Sequence, residues 1–409
     1  MRKMRKLLLL LGLIAYIYAG LVTVDASKKY QMIRGIGGIN LPDWGVDLTD
    51  AQRVTAFTNC DNCLGFTMLR VYVSDDKNAW SKSVPVAKYA QQQGATLFAT
   101  PWNPPSSMCE NFSGGGRSGK RLRYDKYNDY ANHLVSFINY MKEQGVNIYG
   151  ISVQNEPDYG QEWTWWTSAE CVNFLVNQAP KIRTVTKMIS PETFQYNKQY
   201  YKDILNNAKA NANTDIFATH FYGTLRSQMD FPQLENGLYP RELWMTEVYV
   251  PNSSSQADKW PEAIEVAVNM HNAFVIGGMN AYVWWYIRRS YGPMLENGNI
   301  SKRGYMMAQF SKYVRPYAGR VDATESPASN VWVSAYRNMN NGSLVIVAIN
   351  NSDASFSQQF EVKGFTVKRV DRYRTSSSEN LAKTGNMALT GNGFWAQINA
   401  RTVQTFVCS

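Results

Sequence analysis

Eight apolar, strand-like runs alternating with helix-like stretches constrain this chain more than any other feature of its 409 residues. The runs are Met32–Asn40, Phe66–Val73, Ala95–Trp102, Ile148–Asn155, Met188–Glu192, Ile216–Tyr222, Leu243–Tyr249 and Ala281–Ile287. Helix-like stretches between them occupy Thr49–Phe57, Val86–Gln93, Ala169–Ile182, Tyr200–Ala210, Lys259–Phe274 and Lys302–Val314. The clearest helix lies between the third and fourth runs. There Tyr127, Tyr130, Ala131, Leu134, Phe137, Ile138 and Met141 recur at three- and four-residue steps, and Gly145 supplies the stop. Such alternation predicts an α/β fold, and eight units predict a closed (β/α)8 TIM barrel in place of an open sheet.

Beyond about Tyr317 the pattern changes to short alternating strands, Val331–Tyr336, Leu344–Asn350, Phe356–Phe360, Thr366–Tyr373 and Thr402–Val407, with a turn at Asn340-Asn-Gly342. We therefore expect a barrel over residues 35–317 and a fused side β-sandwich domain over 318–409. The strand-like segment from Leu21 to Gln31, within residues 21–34, is expected to add a strand to the side sheet. No repeat or Pro/Ser-rich hinge separates the two parts, which predicts rigid packing. A composition 44% hydrophobic and 18% charged excludes a disordered chain.

The start, Met1-Arg-Lys-Met-Arg-Lys6 followed by the apolar run Leu7–Ala19, has the charged head and short hydrophobic body of a secretory signal. Residues 1–20 are expected to be removed near Ala19 or Gly20, giving a secreted, extracellular protein. The apolar run is shorter than the ~20 residues a membrane span needs, so no membrane association is expected after cleavage. The 42 basic residues less Arg2, Lys3, Arg5 and Lys6 leave 38 against 32 acidic, a net charge of +6. That mild basicity suits an acidic polysaccharide, and no Lys/Arg run of the kind that binds nucleic acid follows the signal. Cys60, Cys63, Cys109, Cys171 and Cys408 are too few and scattered for a disulfide framework. Cys60-Asp-Asn-Cys63 has no second pair to complete a metal site, so a local disulfide or simple burial is expected there.

Two segments read as a pair that delivers carboxylates at strand ends. Gly150-Ile-Ser-Val-Gln-Asn-Glu-Pro-Asp-Tyr159 delivers Glu156 after the fourth strand, and Trp244-Met-Thr-Glu-Val-Tyr249 delivers Glu247 after the seventh. Barrel active sites lie at the C-terminal ends of strands, and glycosidic cleavage needs two carboxyl groups. Glu156 is the expected general acid/base and Glu247 the nucleophile, with Asn155 placed to bond a sugar hydroxyl. Other strand ends supply Arg70, which can hold Glu247 charged, and Trp102, Asn103, His220 and Tyr222. A lone aromatic at a strand end is more often packing than a sugar platform, and a lone histidine is often structural; convergence on one barrel mouth gives these residues their weight.

The segments Val153-Gln-Asn-Glu-Pro-Asp158, Trp244-Met-Thr-Glu247, Ala99-Thr-Pro-Trp-Asn-Pro-Pro105 and Trp284-Trp-Tyr-Ile-Arg-Arg-Ser-Tyr-Gly-Pro293 resemble those of bacterial-type glucuronoxylanases of glycoside hydrolase family 30. The resemblance runs from about Val22 to Val407. It implies retaining endo-cleavage of β-1,4-xylan at positions set by a glucuronate branch. It also implies that Trp102 and Tyr159 line the xylan subsites on the non-reducing side. Tyr249, Trp285, Arg289 and Tyr291 would form the glucuronate pocket, completed by Ser253 or Ser255. A guanidinium meets a planar carboxylate with two parallel hydrogen bonds, which gives Arg289 a physical reason for that role. The bland alternative is that Arg288 and Arg289 pair with surface acids.

Two other functions compete. A β-glucanase or β-glucosidase on the same scaffold, or an enzyme for undecorated xylan, would lack the arginine pocket. A non-catalytic carbohydrate-binding protein would have lost a glutamate, and both are present. Gly35-Ile-Gly-Gly38 lacks the spacing of a dinucleotide fingerprint and is expected to let the chain turn tightly at the barrel entrance. No metal or cofactor is implied, and the partner expected is the polysaccharide alone, bound by a monomer. Sequons at Asn111, Asn252, Asn299, Asn341 and Asn350 would matter only in a eukaryotic host.

Overall fold

A computed structural model describes residues 17–18, 20–114, 117–160, 162–235 and 241–409. The expected leader thus lies almost wholly outside the described residues. Eight parallel strands close a barrel: β1 Gly35–Ile39, β2 Met68–Val73, β3 Thr96–Pro101, β4 Gly150–Ser152, β5 Lys187–Thr193, β6 Ile216–His220, β7 Glu242–Glu247 and β8 Ala281–Tyr286. Pairing of β8 with β1 completes the ring. Met68, Phe98, Ile189, Ile216, Ala218, Trp244, Ala281 and Val283 pack together as one buried cluster drawn from six of the strands. A larger cluster joins the strands to the surrounding helices. Each large side chain so buried contributes about 1.5–3 kcal/mol of transfer free energy.

The glycines of Gly35-Ile-Gly-Gly38 stand inside β1, not in a turn at the barrel entrance. A Cβ on Gly37 would lie 1.9 Å from the Met68 carbonyl oxygen, so the close approach of β1 to β2 requires glycine there. Two expected helices are each broken in two. Ser168–Asn177 is followed by Ala179–Ile182, where Pro180 cannot continue the hydrogen-bond ladder. Lys198–Asn206 is followed by Ala208–Ala212, where the Asn207 side chain accepts from Ala210 N and caps the second piece. An antiparallel hairpin, Cys109–Gly114 with Arg117–Leu122, rises from the loop after β3. Its glycine-rich, polar sequence has no apolar alternation to announce it.

The side domain is a ten-stranded sheet. Val22–Met32 lies within it, antiparallel to Gly319–Ala323 and parallel to Phe356–Lys363. The sheet curls over its own core, where the Phe360 ring lies 4.7 Å from Phe394 and 5.3 Å from Phe406. Leu344–Asn350 is buried on both faces because it serves two cores. Leu344, Ile346 and Ala348 face the side-domain core, whereas Val345, Val347 and Ile349 join the barrel cluster. Polar contacts fix the same junction: Gln309 Nε2 donates to Thr375 Oγ1 at 2.9 Å and to the Val403 carbonyl at 3.1 Å. Cys60 and Cys63 form a disulfide, and Cys109, Cys171 and Cys408 are free. Among the described residues no helix is long and apolar enough to cross a membrane.

Candidate active site

The chain leaves β4 and turns sharply at Glu156, whose φ of +43° is rare for a residue with a side chain. Backbone bonds to both neighbouring strands hold this turn: Asn155 N donates to the Pro101 carbonyl at 2.9 Å and Glu156 N to the Glu192 carbonyl at 3.1 Å. Such a conformation costs on the order of 1–3 kcal/mol and persists where the surroundings fix it. It delivers the Glu156 carboxyl to the barrel mouth, 3% exposed.

Glu247, at the end of β7, is 5% exposed. Its Oε1 accepts from the Tyr222 hydroxyl at 2.7 Å, and its Oε2 accepts from Arg70 Nη1. Fully buried Arg70 also donates Nη2 to Asn155 Oδ1 at 2.7 Å and to Glu192 Oε1 at 3.1 Å, and Nε to Thr100 Oγ1 at 3.1 Å. Its guanidinium lies 4.6 Å from the Trp102 ring centroid. One guanidinium from β2 therefore ties β3, β4, β5 and β7 together, which only the planar fork of arginine can do. Ligand-type atoms of Glu156, His220 and Glu247 all lie within 4.8 Å of one another.

His220 Nδ1 is 2.8 Å from Glu156 Oε1, and its Nε2 is 3.7 Å from Glu192 Oε1, an electrostatic contact too long for a hydrogen bond. Burial opposes a charge on His220, but Glu247, Glu156 and Glu192 outweigh it and raise the imidazole to about 9. Burial pushes Glu156 up to about 7, aided by the charge of Glu247 and opposed by His220 and Arg70. Burial would raise Glu192 too, but Arg70, with His220, holds it at about 2. With Glu156 protonated, two carboxylates face two cations and the buried cluster is neutral. Ionising Glu156 adds an uncompensated negative charge, which low dielectric disfavours. This environment suits Glu156 to donate a proton near neutral pH, beside Glu247 held by two donors.

Above the pair opens a cleft of about 490 Å³ lined by Trp44, Trp102, Glu156, Tyr159, Trp163, Phe194, Tyr222, Glu247, Tyr249 and Trp285. The Tyr159 and Phe194 rings stack at 4.5 Å, and Trp44, Trp102 and Trp285 form a second group with centroids 5.4–6.4 Å apart. Trp102 is only 1% exposed, so it touches the cleft with an edge and packs with the rest. Asn155 Nδ2 is buried without a protein partner, free for a sugar hydroxyl.

The remaining candidates form a side branch. Tyr249 stands 4.9 Å from Tyr222 and 5.5 Å from Tyr291 between ring centroids. Burial raises the Tyr291 phenol to about 12. Arg289 stacks over Tyr286 at 3.9 Å, and its Nη1 is 4.0 Å from Glu296, an exposed acid. Arg288, by contrast, is committed to structure: it donates to Gln52 Oε1 at 2.9 Å and to the Val46 carbonyl at 2.6 Å. Ser253 and Ser255 are both exposed; Ser255 Oγ donates to Ser290 Oγ at 2.9 Å, beside Arg289. Asn103 lines an adjoining recess and not the cleft. Sequence reasoning passed over Trp44, Trp163, Phe194, Thr100 and Glu192. Glu192 carried a signal, since it ends an apolar run as Glu156 and Glu247 do.

A barrel with two buried carboxyl groups under an aromatic cleft defines a glycoside hydrolase. The model of the Glycosyl hydrolase family 30 TIM-barrel domain matches residues 37–181. Glucuronoxylanase XynC of Bacillus subtilis (strain 168) is 52% identical over 388 residues, covering 94% of this chain and 91% of that protein. A family 30 endoxylanase from Clostridium papyrosolvens C71 superposes with a TM-score of 0.88 at 40% identity, covering 95% of this chain and 100% of that one. The subfamily 8 xylanase Xyn30A from Clostridium acetobutylicum gives 0.85 at 32% identity, with 95% and 99% covered. The chain belongs to glycosyl hydrolase family 30.

Proposed function

We propose that this protein is a secreted, retaining endo-β-1,4-xylanase that cuts glucuronoxylan at positions set by its glucuronate branches. The observation that carries the substrate is Arg289, a guanidinium held against Tyr286 with a long contact to an exposed acid, beside a ring series leading from Glu247. The likeness to glucuronoxylanase XynC supports the same reading. Carboxyl oxygens within 4.8 Å support retention, because retaining pairs are about 5–5.5 Å apart whereas inverting ones leave room for a water. The charged-then-apolar start from Met1 to Ala19 supports secretion, as does the Cys60–Cys63 disulfide, and the mature protein should begin near Gly20 by N-terminal sequencing.

In the first step Glu156 protonates the leaving glycosidic oxygen while a Glu247 oxygen attacks the anomeric carbon, forming a glycosyl ester. Having given its proton to the leaving group, Glu156 is left as a carboxylate, and because the ester removes the negative charge of Glu247 that helps to raise it, that carboxylate persists. Glu156 can then take a proton from the water that cleaves the ester. Proton NMR of the earliest products should show the β-anomer; a first-formed α-anomer would mean inversion.

Arg289→Ala should lower kcat/KM on glucuronoxylan roughly 10²-fold, the loss of a charge-assisted contact, and affect unbranched xylo-oligosaccharides far less. Equal losses on both substrates would assign Arg289 to scaffold stability and leave an unspecified β-xylanase or β-glucanase.

A further inference from the structure

Beside the catalytic cleft lies a second recess of about 370 Å³, and the two share Glu162 and Trp163 in their linings. Trp163 is pinned at the junction, because its Nε1 donates to the Glu156 carbonyl at 3.3 Å. The outer wall is one face of the hairpin. Asn111 pairs with Lys120 across the two strands, which sets their side chains next to each other, and both line the recess. The adjacent pair, Glu110 and Arg121, points to the opposite face and is joined at 2.8 Å. On the recess side, Asn103, Asn111 and Lys120 form no side-chain hydrogen bond or ion pair with a described residue. Asp75 and Glu162 add acceptors.

We infer that this recess is a further subsite for the xylan main chain, taking an undecorated sugar beyond those held in the catalytic cleft. The inference rests on the xylanase reading. An indole offers the apolar face that a pyranose C–H surface stacks on, and amides, an ammonium and carboxylates match its ring of hydroxyls. Charge selects between the two sugars of glucuronoxylan: Asp75 and Glu162 outnumber Lys120, so the recess favours the neutral main-chain unit over a uronate. Continuity with the cleft through Trp163 lets one chain occupy both.

The test uses oligosaccharides with one glucuronate branch that differ only in the number of plain xylose units at each end. For the wild-type enzyme, kcat/KM should rise as the chain lengthens into the recess. The variant Asn111→Ala/Lys120→Ala, altered on an exposed hairpin, should lose about tenfold on the longest substrates through KM and keep wild-type values on the shortest. A length dependence unchanged from wild type overturns the subsite while leaving the xylanase reading intact, as does an equal loss at every length. Tighter use of a substrate that carries a second uronate at the recess end overturns the main-chain assignment. Failure of the wild type to cleave any member of the series removes the xylanase reading and the subsite with it.

Discussion

Glu156→Gln should lower turnover on glucuronoxylan by about 10²–10⁴-fold, the usual contribution of a positioned general acid, and Glu247→Gln should lower it at least as far. Both variants should fold, because an amide of the same shape fills each site. The two losses differ in kind. Wild-type kcat/KM should fall as pH rises through about 7, where Glu156 loses the proton it must donate. Glu156→Gln should lose that alkaline limb, having no proton to titrate there. Azide should partly restore Glu156→Ala, since a small anion attacks the glycosyl ester without needing a base, and it should not restore Glu247→Ala by that route. Near-wild-type turnover in either glutamine variant would remove that residue from the mechanism.

The same physics decides what the sequence revealed and what it hid. Glu156 and Glu247 were legible because a carboxylate closing an apolar run contradicts its local pattern, and such contradictions mark functional sites. Glu192 contradicts it equally, at the end of β5 with φ +57°, yet its role depends on Arg70 reaching it from another strand. That distance is not written in spacing. The barrel was legible because its strands are buried on both faces and so read as continuous apolar runs. The hairpin Cys109–Leu122 was not, because exposed strands rich in Gly, Ser and Lys have no apolar face to alternate. Gly37 read as a turn because permissive backbone and close strand approach use the same residue. Arg288 and Arg289 are neighbours of one type, and only the bonds that Arg288 makes to Gln52 and Val46, which spacing does not show, set the two guanidinium groups apart.

Arg70 is where fold and site share one group, and removing it should have the largest effect on stability. Arg70→Met leaves Glu192 and Glu247 buried without their common cation, and breaking a buried ion pair from one side costs about 3–5 kcal/mol. Thermal and urea unfolding should both register that loss, together with a collapse in kcat as Asn155 and Glu247 lose their shared donor. Arg70→Lys keeps the charge but cannot fork to four acceptors, so it should recover part of the stability and little of the activity. Adding Glu192→Gln to Arg70→Met removes one uncompensated charge. The double variant should therefore be more stable than Arg70→Met alone, although it carries one more substitution in a closely packed core. Additive losses in that cycle would mean that Glu192 and Arg70 are not energetically coupled, and that the Arg70 effect arises from lost packing against Trp102.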